Sequence, residues 1–128
     1  MSGDVIRTYR DLLVWQKAMT LVTEVYRLSR RFPKEETYGL TSQIRRCGVS
    51  VPSNIAEGCG RNSTSDYVRF LRMAMGSLYE LQTQAEIARN LGYLDDDAFE
   101  GMYASSREIE RMMSSLIRQL KQKTSGNS

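Results

Sequence analysis

The sequence predicts an all-α protein, an antiparallel up-down-up-down four-helix bundle, and three observations carry that expectation. Apolar residues recur at three- and four-residue spacing through four segments. Pro33, the run Gly58-Cys59-Gly60 and Gly92 punctuate those segments, leaving connections short enough to make consecutive helices antiparallel neighbours. No stretch alternates apolar and polar residues with the period of two that strands need. The chain has 128 residues, 41% of them hydrophobic and 26% charged, which suits a single domain with its own core.

The first helix is expected from about Asp11, as its cap, to Arg31. It carries two apolar stripes, Leu12, Trp15, Met19, Val22 and Tyr26 on one side, Val14, Ala18, Leu21, Val25, Leu28 and Phe32 on the other. Together they span about 200° of the helix, twice what an ordinary surface helix buries. One stripe can enter the bundle core, so the other calls for a partner. We assign Val14, Ala18, Leu21 and Val25 to contact between copies, joined by Val49 and Ala56 of the second helix, and expect a homo-oligomer.

Pro33 ends the first helix, and the second starts between Thr37 and Leu40 and runs to Glu57. Its core stripe is Leu40, Ile44, Cys47, Val51 and Ile55, which keeps phase across Pro52 and predicts a kink there instead of a break. Gly48 relieves the crowding against the proline ring, and Gln43 and Asn54 are expected to bond backbone groups freed beside it. Ser63 and Asp66 resemble a capping box opening the third helix, which buries Tyr67, Phe70, Leu71, Ala74, Leu78, Leu81, Ala85 and Ala88. Gly92 closes it. Asp95 to Asp97 open the fourth helix, whose core face is Phe99, Met102, Tyr103, Ile109, Met113, Leu116, Ile117 and Leu120. Residues 1–10 and 121–128 are expected to fray.

The chemistry available is narrow. There is no histidine, and the two cysteines, Cys47 and Cys59, are too far apart on one helix (about 18 Å) to bridge. Neither a zinc ligand set nor a nucleophile beside a base is present, so no catalytic residue, metal or cofactor is expected. The run Gly58-Cys59-Gly60-Arg61-Asn62-Ser63 lacks the third glycine of a dinucleotide loop and follows a helix instead of a strand. The chain begins without a signal-peptide pattern and has no apolar run long enough to span a bilayer, which together with free thiols points to the cytoplasm.

What remains is charge. Residues 38–75 hold five arginines against Glu57 and Asp66, whereas residues 76–128 hold six basic and eight acidic groups. Arg45, Arg46, Arg61, Arg69 and Arg72, with Lys17 as a weaker member, are candidate contacts to nucleic-acid phosphates. The competing assignment gives some of them to salt bridges between copies, with Glu80 or Asp95 to Asp97 as partners. Trp15, the tyrosines and the methionines stand at helical spacing and are assigned to core and interface packing.

Several phrases add a family resemblance. Val14-Trp15-Gln16-Lys17-Ala18, Tyr38-Gly39-Leu40, Ser42-Gln43-Ile44-Arg45-Arg46, Val51 through Gly58 and Gly76-Ser77-Leu78-Tyr79-Glu80-Leu81 closely resemble the four-helix-bundle proteins encoded in intervening sequences of 23S rRNA genes. The resemblance covers about Leu12 to Leu120 and extends to the accessory variability protein of diversity-generating retroelements, which works with a reverse transcriptase. It implies a helical bundle, homopentameric rings and a basic surface for RNA or DNA, and no catalytic residues. Where such proteins often read Glu-Leu-Glu-Thr, this chain reads Glu80-Leu81-Gln82-Thr83. The expected function is a non-enzymatic, homo-oligomeric nucleic-acid-binding protein. The alternative is a scaffold that docks a partner enzyme such as a reverse transcriptase without touching nucleic acid.

Overall fold

The computed structural model describes residues 5–126. Four α-helices make up nearly all of it: α1 (Leu13–Ser29), α2 (Leu40–Cys59), α3 (Thr64–Asn90) and α4 (Asp96–Gly126). Two 3-10 turns, Tyr9–Asp11 and Lys34–Glu36, precede α1 and α2. Each helix packs against its neighbours in sequence, α2 against α3 most extensively, and α1 against α4 closes the up-down bundle.

Local chemistry sets the helix ends. Asp11 does not cap α1. Its carboxylate accepts from the amides of Arg7 (2.8 Å) and Thr8 (3.2 Å), forming a capping box on the 3-10 turn, and α1 then begins without a side-chain cap. Those same bonds hold the Asp11 carboxyl below its ordinary range. The first amide of α2, that of Leu40, donates to Glu36 Oε1 at 3.0 Å, and the Tyr93 hydroxyl donates to the other oxygen of Glu36 at 3.1 Å. Ser63 accepts from the Asp66 amide (3.0 Å) at the start of α3. At its end Gly92, at φ +81°, lets Tyr93 N reach Ala88 O (2.8 Å) and its own amide reach Arg89 O (2.9 Å), the two bonds of a Schellman closure. Asp95 caps α4 through Ala98 N at 2.7 Å.

The core stripes of α2 and α3 hold as expected, with Ile44, Cys47, Val51 and Ile55 facing Leu71, Ala74, Leu78, Leu81, Ala85 and Ala88. α2 runs through Pro52 without interruption. Asn54 Nδ2 donates to Ser50 O at 2.9 Å, one turn back, whereas Gln43 accepts from Gln84 of α3 and not from the backbone. Gly48 also lets α1 and α2 approach closely, because a Cβ there would lie 3.0 Å from Val22 Cγ2.

The first helix reverses the expectation for its two stripes. Val14, Ala18, Leu21 and Val25 are between 1% and 4% exposed within a single chain, so they are bundle core and not available to a second copy. Val22 of the other stripe is buried with them, at 8% exposed, packed with Val25 against Gly48 where α1 crosses α2. Met19 and Tyr26 instead stand 39% and 40% exposed, as does Val49 of α2 at 43%.

α4 buries Phe99, Met102, Ile109, Met113 and Ile117, with Tyr103, Leu116 and Leu120 half-covered. Ser106 joins them, almost fully buried, donating to Tyr103 O (2.7 Å) and accepting from Gln82 Nε2 (3.1 Å). Gln82 also donates to Glu110 (3.3 Å), and the Tyr79 hydroxyl donates to the same carboxylate (3.3 Å). α4 continues to Gly126, beyond the Leu120 at which fraying was expected. The expected fraying of residues 1–4 and 127–128 lies outside the described residues.

Candidate nucleic-acid interface

The structure does not gather the six candidate cations on one face. Arg45 is committed to the bundle itself: its Nε donates to Ser29 Oγ (2.8 Å), its Nη2 reaches Tyr26 O (3.4 Å), and its guanidinium lies 4.7 Å from the Tyr26 ring centroid. It braces the carbonyl end of α1, where a cation is also favoured by the helix dipole. Arg46, one residue on, opens onto a polar cleft between α2 and α3. Lys17 pairs with Glu108 across the α1–α4 seam at 3.3 Å.

Arg61, Arg69 and Arg72 do converge. The bonds Ser50–Ser77 and Gln43–Gln84 set the antiparallel register of α2 and α3, which brings the α2 C-terminus beside the first turns of α3. Phe70 sits at that corner, with the Arg61 guanidinium 4.7 Å and the Arg69 guanidinium 4.6 Å from its ring centroid. Glu57 pairs with Arg61 at 2.7 Å and Asp66 with Arg69 at 3.5 Å, all four side chains well exposed. Such surface pairs hold only about 0–1 kcal/mol and exchange readily for a phosphate. Arg72, one turn further, has no acidic partner among the described residues.

The α3–α4 register extends this end. Tyr79 meets Glu110, Gln82 meets Ser106, and Arg72 and Met75 share a groove with Ser114 and Ile117. Continuing that antiparallel pairing sets Arg118 and Lys121 alongside the start of α3. Neither has an acidic partner among the described residues. Arg10, stacked over Tyr9 (5.9 Å) and Trp15 (5.6 Å), joins from the 3-10 turn, since Tyr9 packs beside Ala56, Gly60 and Arg61. The end of the bundle holding the α2–α3 turn is thus strongly basic, with Asp11, Glu57 and Asp66 its acids among the described residues. The opposite end collects Asp95, Asp96, Asp97, Glu100, Glu35 and Glu36 together with Arg30, Arg31, Lys34 and Arg89, and is close to balanced.

The charge count by segment hid Arg118 and Lys121, because residues 76–128 are net acidic as a block. The fourth helix is polarised along its length, acids first and bases last, and only the up-down topology shows where each end goes. No group of three His, Cys, Asp or Glu side chains among the described residues is placed to hold a metal ion. No helix among them is long and apolar enough to cross a membrane.

A model of the 23S rRNA-intervening sequence protein family matches residues 10–115. Among solved structures, a protein of unknown function from the S23 ribosomal protein family of Bacteroides thetaiotaomicron VPI-5482 superposes with a TM-score of 0.77 at 23% identity, covering 82% of this chain and 98% of that one. At that identity the likeness shows the fold. No curated protein matches the chain.

Proposed function

The chain belongs to the 23S rRNA-intervening sequence protein family, and we propose that it is a non-enzymatic, homo-oligomeric accessory protein that binds the phosphate backbone of RNA or DNA through its basic end. The observation that carries this reading is the convergence of Arg61, Arg69, Arg72, Arg118 and Lys121 from three separate segments onto one end of the bundle. The Phe70 ring holds two of those guanidiniums in place before any ligand arrives, which lowers the ordering cost of contact. Contacts of this kind fix a backbone without reading bases, so binding is weakly sequence-specific.

Association follows from the outer stripe of α1. Met19 and Tyr26 on α1, with Val49 and the half-buried Ala56 on α2, leave apolar surface that a second copy can cover. In a ring of five, as the family resemblance implies, the basic end recurs in every copy and the field multiplies.

Fluorescence anisotropy with a structured RNA and a DNA duplex tests the reading. Five phosphate contacts per copy give a slope of log affinity against log salt near −4, a loss of about two hundredfold between about 50 and 200 mM NaCl. The double variants Arg69→Ala/Arg72→Ala and Arg118→Ala/Lys121→Ala should each weaken binding and flatten that slope by about 1.5 to 2. Absence of binding at low salt, or variants indistinguishable from the unaltered protein, would overturn it.

A further inference from the structure

The α2–α3 face, away from the basic end, contains a polar cleft of about 340 Å³. Ser42, Arg46 and Ser50 wall it from α2, and Ser77, Glu80 and Gln84 from α3. Its size falls at the small end of ligand pockets, which run from about 300 to 1,000 Å³. The walls are fixed: Ser50 and Ser77 share a 2.7 Å hydrogen bond across the seam, and Asn54 Nδ2 donates to Ser50 Oγ at 2.9 Å.

Two features distinguish this cleft from a solvated groove. Arg46 and Glu80 face it from opposite helices with opposite charges, yet they do not pair. Elsewhere on the surface several such opposites do pair, as Lys17 with Glu108 and Arg61 with Glu57. Arg46 has no hydrogen-bond or ion-pair partner among the described residues, and the one polar contact of Glu80 is the Cys47 thiol, donating at 3.9 Å. Beside Glu80, the Gln84 amide nitrogen donates to Gln43 Oε1 (3.4 Å) while its carbonyl oxygen is buried without a partner. One wall therefore offers a planar fork of donors suited to a carboxylate, and the other offers a carboxylate suited to an ammonium.

We infer that this cleft binds a small zwitterion of the α-amino acid class, its carboxylate on Arg46 and its ammonium on Glu80, with the serine hydroxyls bonding a polar side chain. The site is independent of the basic end, so it stands or falls separately from nucleic-acid binding.

Calorimetric titration of the full chain tests it with three matched probes: L-serine, ethanolamine, which lacks the carboxylate, and 3-hydroxypropionate, which lacks the ammonium. L-Serine should bind saturably at one per chain, and each single-charge probe at least about tenfold more weakly, because each forfeits one of the two charge-assisted contacts. Arg46→Gln and Glu80→Gln should each lower L-serine affinity about tenfold or more while leaving the thermal midpoint in place. A thermal-shift screen of the twenty amino acids at about 10 mM covers other side chains of the class. The inference is overturned if no amino acid binds, if ethanolamine or 3-hydroxypropionate binds as well as its zwitterion, or if Arg46→Gln and Glu80→Gln change the oligomeric mass in light scattering but not amino-acid affinity. That last result would assign the cleft to contact between copies.

Discussion

Gly58 sits where the end of α2 closely approaches the first turns of α3, and replacing it with alanine measures what that approach is worth. An added Cβ would lie 2.8 Å from Phe70 Cβ, 3.1 Å from Tyr67 Cδ1 and 3.1 Å from the Tyr67 carbonyl oxygen. The first and last of these atoms are fixed by the backbone of α3, so no rotamer change relieves them. Overpacking of this kind costs about 1–3 kcal/mol. Alanine returns part of that through helix propensity, at most about 1 kcal/mol and less in a last turn. The net expectation for Gly58→Ala is a loss of about 1–2 kcal/mol. With an unfolding entropy of about 2.1 cal/mol/K per residue, 128 residues convert each kcal/mol into about 4 °C, so the midpoint should fall by about 4–8 °C. Gly76→Ala is the matched control, since nothing lies within 4 Å of its added Cβ in mid-α3. There the propensity gain stands alone, and stability should rise by about 0.5–1 kcal/mol. Urea unfolding with unchanged m values reads both. A Gly58→Ala protein as stable as the original refutes the close-approach argument.

Other outcomes follow from the same contacts. Arg45→Ala should cost about 1–2 kcal/mol in urea unfolding, because it strips the 2.8 Å bond from the buried Ser29 hydroxyl. Gln82→Glu should cost a similar amount at pH 7, setting a second carboxylate against Glu110. A carboxyl raised by that neighbour contributes its stability only while protonated, so the loss should shrink near pH 4. Burial first, then the Glu80 carboxylate, pushes the Cys47 thiol up. Its share of stability is complete below the ordinary thiol range and disappears as pH climbs through the raised value. Iodoacetamide at pH 8 should therefore modify Cys47 slowly, and Glu80→Gln should speed that reaction, as mass spectrometry of the labelled peptide would show.

Much of this architecture was legible because burial repeats with the helix. The stripes Ile44 to Ile55 and Phe70 to Ala88 could be read from spacing, and so could the caps at Ser63, Gly92 and Asp95. The first helix was legible only in part. Its two stripes are almost equally apolar, and spacing holds no information about which one meets a neighbouring helix at small-residue distance. The fold decides that: Val14, Ala18, Leu21 and Val25 go inside, and the close approach to Gly48, 26 residues on, takes Val22 of the other stripe in with them. Arg45 looked like an exposed cation because its partners, Ser29 and Tyr26, lie 16 and 19 residues away on another helix. Ser106 carried no apolar signal at all, although its position continues the α4 stripe. The basic end was legible for Arg61, Arg69 and Arg72 and hidden for Arg118 and Lys121, whose placement depends on which way α4 points.

The Gln82–Ser106–Glu110 contacts have a consequence for how uniquely the two long helices are aligned. Leucines and alanines along α3 tolerate a slide of one turn against α4, since one apolar layer replaces another. A slide of about 5.4 Å would instead part the Gln82 amide from Ser106 and Glu110, leaving the buried Ser106 oxygen without its incoming bond. Those few polar atoms act as a ratchet: they reject the shifted alignment more strongly than they hold the correct one, and so keep both extremities of the molecule in step.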